Sequence, residues 1–358
     1  MTMHRIVLLL AATFASSIPT SSAAAQSCIA TRSSMTPAGW VAPPTNTADT
    51  SSAPLELVAD VPLPGPANRF DYQSIDPVAR RLYISHMNAG RLVVFDLDSG
   101  RVVGEAGGLD RATGVLAVPA RRTVYVSAAG RHELVALDDR TLKVTGRVGG
   151  IRFPDGIAYA PAEEKVFVSD ESGEADIVID ARTMSKRRTI ELGGEAGNTH
   201  YDSVSHCILV AVQTRNQLVA IDPASERIVM RYNLPDVDGP HGFTIDETGR
   251  RAFISAEDNA VLLVLDLRTM RVRQRLPVGD DPDVLAWDAG LQRLYVASES
   301  GGLTIFVTDG KGLHAIETLR APHAHTVSVD PRTHRVYLPL ENVGGRPLLR
   351  ILAPAGAP

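Results

Sequence analysis

Leu82-Tyr83-Ile84-Ser85, Val124-Tyr125-Val126-Ser127, Val166-Phe167-Val168-Ser169, Ala252-Phe253-Ile254-Ser255 and Leu294-Tyr295-Val296-Ala297 are versions of one phrase. Each is a short run rich in the β-branched and aromatic residues that favour strands. With Leu209 and Tyr337, the second residue of the phrase forms a series: Tyr83, Tyr125, Phe167, Leu209, Phe253, Tyr295 and Tyr337. The intervals are 42, 42, 42, 44, 42 and 42 residues. Six of the seven are aromatic in a chain with only 5% aromatic residues, so the period is not an accident of composition. A period near 42 with several strands per unit is the signature of a β-propeller blade. Seven units therefore predict an all-β, seven-bladed propeller of four-stranded blades over residues 55–358.

Each unit follows one grammar. A first strand ends at a turn opened by aspartate, as at Asp76-Pro77, Asp202-Ser203, Asp246-Glu247, Asp288-Ala289 and Asp330-Pro331. The strand with the repeated phrase follows. A third strand ends at Asp96, Asp138, Asp180, Asp222 or Asp266. A carboxylate there bonds to the backbone of its own turn, so these aspartates read as turn chemistry rather than catalysis. The seventh unit supplies only three strands, His325–Asp330, Arg335–Leu340 and Leu348–Ala353. Leu55–Val61 precedes the first unit and is expected to provide the fourth, closing the ring and covering edges that would otherwise pair with other chains.

The first residues carry a different message. His4 and Arg5 precede the apolar run Ile6–Ala15, which is too short to span a bilayer, and Ala23-Ala24-Ala25 offers a small-residue cleavage site. Residues 1–25 read as a secretory signal peptide, so a periplasmic or secreted bacterial location is expected. Residues 26–54 are rich in Ser, Thr, Ala and Pro and read as a disordered linker. Cys28 and Cys207 are the two cysteines, and they are expected not to pair, because Cys28 falls in that linker. Cys28 also invites a lipid-anchor reading, although Ala25-Gln26-Ser27 lacks the usual leucine. Without residues 1–25, 35 basic side chains face 41 acidic ones, and none of the basic residues is massed. That balance speaks against a nucleic-acid partner, which requires a concentrated basic surface. No further stretch reaches transmembrane length.

The phrases Tyr125-Val126-Ser127, Phe167-Val168-Ser169 and Tyr295-Val296-Ala297, with the aspartate after the third strand, resemble the YVTN-repeat propellers of the YncE-like family. This family sits in the wider group of quinoprotein-amine-dehydrogenase-like propellers. The resemblance covers residues 55–353. The asparagine that ends the family phrase is replaced by Ala128, Asp170 and Ser298. The resemblance implies the fold far more strongly than any activity, because propellers host unrelated functions.

Candidate chemistry follows from the repeat. The first strand of a blade lines the central channel, and its start shares a face with the end of the second strand. Twelve residues before the repeated aromatic stand Asp71, Thr113, Asp155, Gly197, His241, Asp283 and His325. Four residues after it stand Met87, Ala129, Glu171, Gln213, Glu257, Glu299 and Glu341. Both rings should converge on one channel mouth, with His86 beside them in blade one and Asn198 and His200 in blade four. The resulting candidate ligand set is Asp71, Asp155, Asn198, His200, His241, Asp283, His325, Glu171, Glu257, Glu299 and Glu341. His241, Asp283 and His325 are candidate ligands of a divalent cation, and His241 and His325 are candidate acid–base residues. The opposing reading is structural: Pro154-Asp155-Gly156, Pro240-His241-Gly242 and Pro282-Asp283 also have the composition of loop-shaping turns.

The sequence carries no nucleophile elbow, phosphate loop or Cys-x-x-Cys-His haem motif. Three functions compete. The leading expectation is an exported, non-catalytic propeller whose polar mouth binds a small molecule, a metal or an envelope protein. The alternative is a metal-dependent lactonase or lyase at the same mouth. A haem or quinone redox protein ranks last.

Overall fold

A computed structural model describes Cys28, residues 54–309 and residues 312–355. The expected signal peptide, and the expected linker apart from Cys28 and Pro54, lie outside the described residues. The described strands form seven antiparallel sheets of four strands each. Blade one comprises Gln73–Asp76, Arg81–His86, Arg91–Asp96 and Arg101–Gly107, in order from the axis outward. Blades two to six repeat this order. Blade seven takes Ser328–Val329, Val336–Val343 and Arg346–Pro354 from the C-terminal end, and Leu55–Pro62 as its outer strand. That outer strand pairs antiparallel with Arg346–Pro354, from Leu55 opposite Pro354 to Pro62 opposite Leu348. The ring therefore closes as the repeat predicts.

The repeated aromatic explains why blades stack. Tyr83, Tyr125, Phe167, Phe253, Tyr295 and Tyr337 are all buried, and each packs in a cluster shared with the following blade. Tyr337 makes the closing contact, against Phe95 and Leu82 of blade one. A side chain of this size fills the wedge between two twisted sheets and removes a large apolar area from water. Ion pairs staple the rims. Arg80 of blade one donates to both carboxylate oxygens of the buried Asp330 of blade seven at 2.8 and 2.5 Å. Arg250 makes the same bidentate contact across to Asp202 at 2.6 Å for each bond. The turn aspartates behave as expected: Asp266 accepts from the amides of Arg268 and Thr269, and Asp138 from those of Arg140 and Thr141.

One expectation is overturned. Cys28 and Cys207 form a disulfide, with Cα atoms 5.2 Å apart. The physical reason lies in blade four, where Leu209 replaces the repeated aromatic. Cys28 and Cys207 are both buried in the cluster that Leu209 shares with blade five. Cys28 is thereby tied to the ring across 179 residues of sequence, a separation at which a cross-link restricts the unfolded chain strongly. A sulfur engaged in a disulfide also has no thiol left for acylation.

Candidate metal and ligand site at the channel mouth

The innermost strands begin with an irregularity that aims side chains into the channel. In blades two to six the register with the second strand shifts just after the strand start, for example between Pro154 and Ile157 and between Pro240 and Phe243. Such bulges re-aim a side chain without breaking the sheet. Pro154-Asp155-Gly156 and Pro240-His241-Gly242 are therefore strand starts rather than loop turns. Their glycines have a steric reason. A Cβ at Gly242 would lie 1.6 Å from the carbonyl oxygen of Asp283, and one at Gly114 would lie 1.9 Å from that of Asp155. Only glycine lets neighbouring inner strands come this close, and the approach crowds the carboxylates around the axis.

The mouth is a cavity of about 420 Å³. Of the expected residues, Asp71, Asp155, Glu171, His241, Glu257, Asp283, Glu299 and His325 line it together. Asn198 and His200 do not. They line a second cavity further down the channel. Glu341 is also absent from the mouth. Its strand runs on to Val343 through a register shift between Leu340 and Val343, so it does not end where its counterparts do. His86 is buried against the ring of Phe70, with centroids 4.0 Å apart, and desolvation lowers its pKa to about 4.

Two further residues organise the mouth. Arg69 donates to Glu299, and its guanidinium lies 3.0 Å from Nδ1 of His325. His325 in turn contacts Glu299 Oε1 at 2.8 Å through Nδ1, and Asp71 Oδ1 and Asp283 Oδ2 at 2.9 Å through Nε2. Burial opposes charge on this imidazole, but the Asp283 and Asp71 carboxylates outweigh it and hold its pKa well above the ordinary value. His325 is thus an imidazolium, and the carboxylates keep two neighbouring cations together. Tyr72 is the second organiser. Its hydroxyl donates to Asp155 Oδ2 at 2.9 Å and lies 3.3 Å from Nε2 of His241.

The His241 half is arranged differently. Here Nδ1 of His241 lies 3.4 Å from Glu257 Oε1, too poorly aligned for a hydrogen bond. Nδ1 of His241 and Oδ1 of Asp283 are both buried without a hydrogen-bond partner. Burial opposes charge on His241, but Asp283 and Glu257 raise its pKa to about 9. Burial raises Glu257 to about 7 and Asp155 to about 8, the latter with help from Asp71. Asp283 falls to about 2 despite its burial, because His325 and His241 flank it. His241, Glu257 and Asp283 bring ligand atoms within 4.8 Å of one another, and Asp283, Glu299 and His325 do the same. The first triad holds two orphaned atoms, Nδ1 of His241 on the Glu257 side and Oδ1 of Asp283, which lies 3.7 Å from Nε2 of the same ring. The second is filled electrostatically by Arg69.

Sequence reasoning missed Arg69 and Tyr72, yet both stand at repeat positions. Arg69 precedes Tyr83 by fourteen residues, as Arg111 precedes Tyr125. Tyr72 occupies the position where blades two, three and five carry Gly114, Gly156 and Gly242. Arg111 lies on the rim with its guanidinium 5.0 Å from the Phe153 ring centroid, and among the described residues it pairs with no acid.

The comparisons with known proteins support the architecture. Hydrazine synthase from Kuenenia stuttgartiensis is 17% identical with a TM-score of 0.69, covering 80% of this chain and 96% of that one. The Cps50 (Swd1) β-propeller domain of Myceliophteria thermophila is 13% identical with a TM-score of 0.69, covering 84% and 99%. This chain has a seven-bladed β-propeller fold. At these identities the likeness extends to the fold and no further. No family model and no curated protein matches the sequence. Among the described residues, no helix of this propeller is long and apolar enough to cross a membrane.

Proposed function

We propose that this propeller is an exported ligand-binding protein. Its channel mouth holds a divalent cation between His241, Glu257 and Asp283 and presents it to a small anionic molecule. The observation that carries the reading is that Nδ1 of His241 and Oδ1 of Asp283 are both buried and orphaned within a triad whose ligand atoms lie within 4.8 Å of one another. Buried polar atoms without partners are rare, and a bound ion is one of the few ways to satisfy both at once. Tyr72 supports the same arrangement. Its hydroxyl proton goes to Asp155, so its oxygen can accept from Nε2–H of His241, and an incoming cation would displace the other proton of this imidazolium and take Nδ1 as its ligand. One imidazole with two carboxylates suits zinc or manganese better than a metal that prefers thiolates. The unpaired Arg111 on the rim, beside the bound cation, favours a carboxylate-bearing ligand.

Export is supported by the targeting features of residues 1–25 and by the Cys28–Cys207 bond, since disulfides persist in oxidising compartments. The repeat phrase supports kinship with the YVTN-type propellers. A second reading, metal-dependent hydrolysis of a lactone or a related lyase reaction, is favoured by Glu257 and Asp155. Their pKa values of about 7 and about 8 lie where a general acid or base works best.

The test is metal content by native mass spectrometry on residues 26–358 purified without chelator. One cation per chain is expected, lost in His241→Ala and in Glu257→Gln and kept in Glu341→Gln. An empty protein that takes up neither zinc nor manganese would overturn the site. Turnover of simple lactones by the loaded protein, abolished with the cation, would decide for the catalytic reading.

A further inference from the structure

Below Tyr72 the channel opens into a second cavity of about 320 Å³, at the small end of the range for ligand sites. Its chemistry differs from that of the mouth. Among the described residues, no Lys, Arg, Asp or Glu lines it. Its only titratable lining groups are the Tyr72 phenol and His200, whose pKa is lowered by burial to about 4, so that the imidazole is neutral at physiological pH. The rest of the wall is uncharged: Gln73, Ser74, Asn198, Thr199 and Ser328 are polar, and the others are aliphatic or aromatic, with the Phe243 ring edge-on to His200 at 4.6 Å between centroids.

Three polar atoms of the lining residues make no hydrogen bond of good geometry. Oγ1 of Thr199, in a residue only 1% exposed, is unsatisfied, as are Nε1 of Trp287 and Oε1 of Gln73. The Gln73 amide nitrogen is anchored on Tyr337 O at 3.3 Å and Thr326 Oγ1 at 3.4 Å, which leaves its oxygen free to accept. These groups sit on blades four, six and one, and none of the three atoms is itself exposed to the cavity. A ligand that turned these side chains inward would meet an indole donor, an amide acceptor and a hydroxyl that can do either.

Behind Thr199 stands a second anomaly. The third-strand position opposite residue Ser85, Ser127, Ala211, Ser255 or Ala297 carries Leu92, Leu134, Leu218, Leu262 or Leu303. In blade three the same position, opposite Ser169, is Asp176. Asp176 is fully buried, and neither of its oxygens makes a hydrogen bond of good geometry. The Thr199 hydroxyl is the side-chain group that acts on its carboxyl, but the contact is too poorly aligned to satisfy either group.

We propose that the lower cavity is a separate binding site for a small uncharged aromatic molecule with a hydrogen-bonding group, which Thr199, Trp287 and Gln73 recognise. Aromatic character matches the rings of Trp287, Phe243 and Tyr72. Absence of charge follows from the walls, because a carboxylate placed there would lose its hydration and gain no countercharge. The site is independent of the cation proposed for the mouth.

Calorimetric titration of the mature chain with 2-naphthol and with 2-naphthoate tests it. Saturable one-to-one binding of naphthol is expected, with naphthoate weaker by about tenfold or more. Thr199→Val keeps the shape and removes the hydroxyl, so naphthol should bind about five- to tenfold more weakly. Ser328→Trp places a bulky side chain in the cavity from its half-buried wall and should abolish binding. Glu257→Gln, in the mouth, should leave naphthol binding unchanged. No saturation up to about 1 mM would overturn the proposal. Equal affinity for naphthoate, or loss of naphthol binding in Glu257→Gln, would also overturn it, since either places the probe elsewhere. If Ser328→Trp fails to fold, unchanged binding in Thr199→Val is enough to reject it.

Discussion

The mouth and the lower cavity are lined by the same inner strands, a few residues apart, yet they are chemically opposite. At strand starts such as Asp155, His241 and Asp283, bulges and glycines bring acidic groups to within 3.9 Å of an imidazole. Two residues on, at Ile157, Phe243 and Leu285, the same strands present apolar side chains. A strand alternates its faces, so position along the axis alone would not produce this contrast. The close approach of the strand starts produces it. Carboxylates forced together need cations, and the mouth meets that need with Arg69 and His325 on one side and with an open triad on the other. The lower cavity is free of this constraint and can stay neutral, except where Asp176 stands behind its wall.

Asp176 is therefore where the comparison breaks most easily. Burial raises its carboxyl to about 7, against a small opposing effect of the Thr199 hydroxyl. Between the unfolded pKa near 4 and the folded value, the unfolded state ionises while the folded state keeps its proton. Stability accordingly falls as pH rises through this window and levels off above it. Asp176→Leu, the residue that other blades carry, should raise stability by up to about 4 kcal/mol at pH 8. Most of that gain should vanish below pH 4. Denaturant unfolding of both proteins at several pH values measures it, and a gain independent of pH would mean that the carboxyl is satisfied in a way the geometry does not show.

The next largest effect tests the open half of the mouth. His241→Ala should weaken zinc or manganese binding by about 100-fold or more, because it removes the only nitrogen ligand of the triad. Naphthol binding below should not change. A matching loss at both ends would mean that the two compartments act as one site.

Arg69→Met addresses the closed half. Arg69 lies beside Glu299 and His325, and the charges of Asp71, Glu299 and Asp283 raise its pKa despite the cost of burial. Removing it frees Asp283, Glu299 and His325 as a second triad. Loss of a positive charge that lies 2.9 Å from Glu299 and 3.0 Å from His325 should improve a second divalent cation's affinity by about thirtyfold or more. Metal stoichiometry should move from one towards two per chain. If it stays at one, the imidazolium of His325 rather than Arg69 closes that triad.

Some of this was legible in the sequence and some was not. The 42-residue period specified the blades, the ring closure by Leu55–Pro62 and the convergence of Asp71, Asp155, His241, Asp283 and His325, because these depend on backbone repetition. Glu341 defeated the same reasoning, since its strand continues where the others end. The Cys28–Cys207 bond was hidden because a segment without periodicity gives no sign of where it docks. The missing aromatic at Leu209 was its only trace. Asp176 was visible as an acid within an apolar run, but its isolation from any partner is a property of packing.

Tyr72 sharpens the contrast with the least perturbation, because it belongs to both compartments. Its ring faces the lower cavity, and its hydroxyl joins Asp155 to His241 in the mouth. Tyr72→Phe should divide these roles. With the ring retained, naphthol affinity should hold within about twofold, and the lost hydrogen bonds should lower stability by about 1 kcal/mol. The mouth should suffer more specifically. Without an acceptor at Nε2, His241 can place its proton on Nδ1, and the ligand nitrogen is no longer fixed. Cation affinity should then fall by about tenfold, as it does when outer-shell partners of metal-binding histidines are removed. A fall in naphthol affinity with no change at the cation would reverse the assignment, making the hydroxyl a recognition group of the lower cavity and leaving the His241 tautomer to be set by Asp283.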